Sequence, residues 1–92
     1  MGQEKAWRLE KAGFLKGVTF VRRRWWPYRE GWDHDHCAAC WAKFADFEDS
    51  EVLHEGYTIT ADHERGEGYH WVCPRCFLDL QEDLQWGLQS DA

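Results

Sequence analysis

The chain has only two prolines and one methionine among its 92 residues, and no apolar run approaches the roughly 18 residues that span a bilayer. The sequence therefore predicts a soluble protein. The opening stretch Met1-Gly-Gln-Glu-Lys-Ala-Trp-Arg lacks the basic-then-apolar order of a secretory signal, so a reducing compartment, the cytoplasm, is expected. There is no nucleophile motif, no carboxylate pair at an interpretable spacing and no phosphate-cradling glycine loop; Gly66-Glu67-Gly68 is too short to count as one. Positive charge is also scarce. Eleven lysines and arginines face 17 acidic residues, a net charge of −6, which weighs against nonspecific binding to phosphates. Most of the bases precede Arg29, and the stretch from Glu30 onward is acidic.

What is present is a repeated cysteine spacing. The four cysteines form two pairs, Cys37-Ala38-Ala39-Cys40 and Cys73-Pro74-Arg75-Cys76, each C-x-x-C. Two residues between thiolates let both sulfurs of a tight turn face one tetrahedral ion, and two such turns complete a closed four-sulfur shell, so Cys37, Cys40, Cys73 and Cys76 are predicted to hold one structural zinc ion. Unliganded thiols seldom repeat this spacing, disulfides do not suit a reducing compartment, and thioredoxin-like chemistry needs a βαβ pattern that is missing. The interval from Trp41 to Val72 exceeds the roughly 15–20 residues of a simple ribbon, so another element must lie between the pairs.

A chain this short gains little stability from its core alone, and a metal staple fits that need. Seven tryptophans, five phenylalanines and three tyrosines nevertheless exceed a minimal core. Either the core is built from them or some rings are exposed to a partner, and Trp25, Trp26, Trp32 and Trp86 are the candidates for a partner surface.

In chain order, residues Met1 to Lys11 fit a period-two or a helical fragment, and the pattern does not choose. Val18 to Trp26 reads as a strand that Pro27 ends. Its stretch Arg22-Arg23-Arg24-Trp25-Trp26 is either a basic-aromatic patch or a partly exposed strand whose arginine stems cover aromatic surface. After a turn, Asp33-His34-Asp35-His36 precedes the first cysteine pair. His34 or His36 could replace a thiolate or build a second metal site, the plainer view being local capping, with Asp33 or Asp35 starting a helix. Helical spacing of Trp41, Phe44, Ala45 and Glu48 predicts a helix from about Cys37 to Glu48, with Trp41 and Phe44 inward, ending at the acidic group Asp46, Glu48, Asp49 and Glu51. Gly56 to Thr60 and Tyr69 to Val72 read as a hairpin with a long tip over Ala61 to Gly68. Cys76, Phe77, Leu80, Leu84 and Leu88 form an apolar stripe, which predicts a closing helix ending near Trp86-Gly87. His54, His63 and His70 read as ordinary surface or core residues.

The expected fold class is α+β: one small zinc-stabilised domain over residues 1–92, with an ordered core at about 17–88, two C-x-x-C knuckles, a β-hairpin plus an N-terminal strand, and two short helices. Over Asp33 to Trp41 and His70 to Phe77 the chain resembles small bacterial proteins with a zinc-ribbon-like double knuckle, a group with no settled activity. That resemblance spans roughly Trp25 to Trp86 and implies metal binding. Some short acidic proteins of this kind resemble immunity or accessory proteins that bind a toxin or an enzyme.

Three functional expectations follow. One is a noncatalytic module that recognises a protein, a basic one by charge, through exposed tryptophan and acidic surface. Another is nucleic-acid binding through Arg22 to Trp26. The third is a small metalloenzyme in which His34, His36 or His70 and a carboxylate make an open site.

Overall fold

The computed structural model describes residues 2–90, with side chains from residue 5 onward. Residues 1, 91 and 92 of the expected domain lie outside the described residues. The chain opens with helix α1 (Gly2–Ala12) and a short 3-10 turn (Gly13–Leu15), which settles the unassigned N-terminal pattern as helical. Ala12 and Leu15 are fully buried, so the folded part begins well before residue 17.

Strand β1 (Thr19–Arg24) then pairs antiparallel with β5 (Glu55–Ile59), in a register that sets Phe20 opposite Ile59 and Arg24 opposite Glu55. β-Branched and aromatic residues favour this pleated, half-buried position, and Phe20 and Val21 are fully buried. β5 pairs in turn with β6 (Trp71–Val72), so the expected hairpin is present, its long tip tied down by the buried Thr58. The Thr58 hydroxyl donates to the His70 carbonyl at 2.7 Å and accepts from the Gly68 amide at 3.1 Å.

The closing helix is shorter than the stripe predicts. α2 (Pro74–Leu80) gives way to turns over 81–85, where Gln85 takes a left-handed φ of 55°. That reversal sends Trp86 into the core, where its ring sits 5.0 Å from Phe20 and 5.8 Å from Phe77 and its Nε1 donates to the Leu15 carbonyl at 3.0 Å. Strand β7 (Gly87–Leu88) then joins β1 in parallel, completing a four-stranded sheet of order β6-β5-β1-β7. Leu88 consequently leaves the stripe and stands 53% exposed.

The helix expected from Cys37 to Glu48 does not form. β2 (Asp35–His36), β3 (Lys43–Phe44) and β4 (Val52–Leu53) make a second, three-stranded sheet instead. The Cys37 amide donates to the Ala42 carbonyl at 2.7 Å while its own carbonyl accepts from Trp41 at 3.0 Å, and this closes a loop that reverses the chain. Trp41 then takes φ 71°, which no helix continues. The acidic residues Asp46, Glu48, Asp49 and Glu51 lie on an exposed connection between β3 and β4. The two sheets touch at Gly56, where an added Cβ would come within 2.7 Å of the Phe44 ring and 2.9 Å of the Val72 carbonyl.

The molecule is thus a small α+β fold with two short helices, although the first is N-terminal rather than central. No helix among the described residues is long and apolar enough to cross a membrane.

Candidate metal centre

Each cysteine pair is positioned by a different local device. Cys37 directly follows β2 and bridges to Trp71 of β6, with the Ala38 amide donating to the Trp71 carbonyl at 2.8 Å. Those contacts lace the first knuckle to the strand that leads into the second. Cys73 caps α2, its sulfur accepting from the Cys76 amide at 3.4 Å, and Pro74 follows at the first turn, where a missing N–H costs nothing. Cys76 then projects from that first turn.

The four sulfurs lie within 4.8 Å of one another. None is in a disulfide; Cys37, Cys73 and Cys76 are buried and Cys40 is half-buried. Cys40 and Cys73 approach to 3.7 Å between sulfurs, close to the edge of about 3.8 Å of a tetrahedron with metal–sulfur bonds of about 2.3 Å. Backbone amides reinforce the cluster: those of Ala39, Cys40 and Cys73 donate to Cys37 Sγ at 3.4, 3.5 and 3.3 Å. Such donors favour thiolate over thiol.

Hydrogen bonds from the Cys73 and Cys76 thiols, followed by backbone amides, hold Cys37 far below the ordinary thiol range, at about 2. The hydrogen bond to Cys37, with burial and the Cys37 charge behind it, pushes Cys73 up to about 12, and the hydrogen bonds to Cys37 and Cys73 drive Cys76 upward. Cys37, Cys73 and Cys76 thus share one readily formed negative charge and resist a second. A divalent cation at their centre removes that resistance, which is the chemistry this donor set fits. Arg8 supplies further positive charge: it is 6% exposed and places Nη1 3.5 Å from Cys76 Sγ and 3.1 Å from Asp79 Oδ2. No local pattern pointed to it, because the contact joins the first helix to the last.

The histidines stand apart from the sulfur cluster. His34 pairs with Asp33 at 2.6 Å, His36 stacks on Trp41, His54 Nε2 donates to the Phe47 carbonyl at 3.0 Å, and His63 and His70 contact each other edge to face. Among the described residues, the four cysteines form the one group of three or more ligand side chains within reach of a common ion. Asp35 starts no helix. Its Oδ2 accepts from Trp25 Nε1 and from Trp32 Nε1, both at 2.9 Å, and so ties the two ends of the 25–35 segment together.

The predicted aromatic surface is rearranged as well. Trp25 and Trp86 are buried at 5% and 4% exposure, and neither indole is open to a partner. Trp26 and Trp32 are half-buried: Trp26 covers Gly68 and meets Trp71 edge to face, while Trp32 packs with Tyr28 and Tyr69. The exposed rings are Trp7, Phe14, Trp41 and Phe47. Trp41, expected inward, is 69% exposed and lies flat on His36, ring centres 4.2 Å apart and planes 2° from parallel. Its left-handed backbone costs roughly 1–2 kcal/mol for a residue with a Cβ. The available signal was its place directly after a C-x-x-C turn, where a chain that has aimed two sulfurs at one point must reverse. Within the basic-aromatic stretch, Arg22 pairs with Glu55 at 2.9 Å, Arg23 pairs with Glu67 at 3.2 Å, and Trp25 is buried.

Fold and site together define a small α+β domain whose four clustered cysteines can hold one metal ion. No family model, curated protein or solved structure matches the chain.

Proposed function

We propose that this chain is a noncatalytic interaction module whose fold is set by one structural zinc ion held by Cys37, Cys40, Cys73 and Cys76, and that it binds a protein partner in the manner of an immunity or accessory protein. The observation that carries the reading is the closed shell of four sulfurs within 4.8 Å. Four thiolates fill a tetrahedral ion and leave no position for water or substrate, so the metal serves the fold rather than a reaction. Zinc is the ion such soft, buried sulfur donors favour.

Protein recognition is supported by exposed aromatic rings on an acidic chain, a combination suited to a basic partner. Trp7, Phe14 and Trp41 take the place of the tryptophans expected from sequence. A metalloenzyme has no support from the histidines, which sit outside the sulfur cluster. Nucleic-acid binding through Arg22 to Trp26 is the weaker reading, because Arg22 and Arg23 are engaged in ion pairs and Trp25 is buried.

The test is elemental analysis of protein purified without added metal, followed by exhaustive chelation under reducing conditions. One zinc per chain is expected, with loss of near-ultraviolet circular dichroism when it is stripped. Cysteine-to-serine changes at Cys37, Cys40, Cys73 or Cys76 should do the same, because structural zinc contributes an apparent ~10–16 kcal/mol and a small domain's net stability rarely exceeds about 15 kcal/mol. A metal-free protein with its aromatic signal intact would overturn the reading.

A further inference from the structure

A groove of about 340 Å³ opens beside the first knuckle, lined by the rings of Phe14, Trp41, Tyr69 and Trp71 together with Asp35 and His70. Its two most exposed rings, Trp41 at 69% and Phe14 at 63%, gain little from burial, and Trp41 is held in a strained left-handed conformation. The reversal after the knuckle sets that backbone, and it holds the Trp41 ring out to solvent.

Outside the groove, Lys11 lies over Trp7, Arg22 over Tyr57, Arg29 over Trp32 and Lys43 over Phe47, and at the groove's edge Arg65 already lies over Tyr69. Among the described residues no lysine or arginine lies over Trp41 or Phe14; His36 lies flat on one face of Trp41 and His70 meets Phe14 edge to face. Asp35 is unequally used in the same way: Oδ2 takes both indole N–H groups, and Oδ1 makes no hydrogen bond among the described residues.

We propose that this groove receives the guanidinium of an arginine presented by a protein partner. The inference rests on the reading of the chain as an interaction module and names the chemistry that module recognises. Aromatic faces attract a cation, and Asp35 Oδ1 offers it a charged acceptor. Arginine suits the site better than lysine because its planar fork can lie against a ring while still donating hydrogen bonds at its edge. Burial, with His63 and Arg65 nearby, keeps His70 below the usual imidazole range, so at neutral pH this ring adds an acceptor rather than a repelling charge. A nucleic-acid strand would also stack on Trp41, but its phosphates would face Asp35 and a chain of net charge −6.

The experiment titrates zinc-loaded protein with N-acetyl-arginine amide and follows the indole N–H resonances of Trp41 and Trp71. The uncharged isostere N-acetyl-citrulline amide and an oligothymidylate serve as comparisons. Saturable shifts in the millimolar range are expected with the arginine compound, and binding of the citrulline compound should be weaker by about fivefold or more. Trp41→Gly and Asp35→Asn should each weaken arginine binding by a similar factor. Both variants are designed to keep the fold, because glycine accepts the left-handed backbone and asparagine still offers an acceptor to both indoles. The proposal is overturned by absent or unsaturable shifts, by an equal response to citrulline, by unchanged binding in both variants, or by tighter binding of oligothymidylate at the same resonances. Zinc content measured on the same samples tests the metal reading separately, so failure of the groove with one zinc per chain rejects the groove alone.

Discussion

Arg8 and Cys76 lie 68 positions apart in the chain, and Nη1 of the first reaches within 3.5 Å of the sulfur of the second. This contact makes helix α1 part of the candidate metal centre. Four thiolates on one divalent ion carry excess negative charge, and a buried guanidinium offsets it while Asp79 holds that guanidinium in place at 3.1 Å. Arg8→Met, which keeps the apolar stem, should weaken retention of the proposed zinc ion by about tenfold or more, measured by competition with a chromophoric chelator. Arg8→Lys should fall between, since it restores charge without the fork.

Asp35 holds two indoles with a single oxygen, so its truncation and its neutralisation should differ. Asp35→Ala leaves the buried Trp25 N–H and its Trp32 counterpart without an acceptor and should cost about 2 kcal/mol or more in chemical denaturation. Burial raises the Asp35 carboxyl above its usual range, against the two indole donors that lower it. A raised folded value means that the stability this group contributes is present at low pH and lost as pH rises, so its ionised form is a net burden at pH 7. Asp35→Asn keeps the acceptor without the charge, and it should therefore match or exceed the parent's stability at neutral pH.

Gly56 is where the two sheets touch, and a side chain there has nowhere to go. The Phe44 ring would have to move, and the Val72 carbonyl, part of the β5–β6 ladder, cannot. Gly56→Ala should destabilise the domain by about 1–3 kcal/mol, read as a lower denaturation midpoint at an unchanged slope.

His70 predicts a pH dependence of defined sign. Burial and the neighbouring His63 and Arg65 lower its folded pKa, so the unfolded chain takes up the proton first as pH falls. The stability it contributes is present above the unfolded value of about 6.5 and is lost as pH drops through that value toward the folded one. Denaturation midpoints should therefore fall between about pH 7 and pH 5, and His70→Gln should show a shallower decline over that window. Parallel curves for the two proteins would contradict the assignment.

Legibility varied from element to element along the chain. The β1 strand and the β5–β6 hairpin were readable because alternation and glycine placement are local signals that a half-buried sheet preserves. The segment from Cys37 to Glu48 misled, since its spacing of Trp41, Phe44 and Ala45 is helical while the knuckle at its start forces the chain to turn back. Trp86 misled for a related reason. A stripe at three- and four-residue steps predicts a longer helix, but a left-handed Gln85 breaks it and pairs Gly87 and Leu88 with β1.

The amino-acid sequence by itself determined the four cysteines as a matched set, the approximate strands and the acidic balance, because spacing, branching and formal charge are properties of neighbouring residues. Only the tertiary structure decided which rings face solvent, that Arg8 belongs to the sulfur cluster and that Asp35 joins Trp25 to Trp32. Each of these depends on partners far apart in the chain, and the burial of an indole or a guanidinium is set by what folds against it rather than by what precedes it.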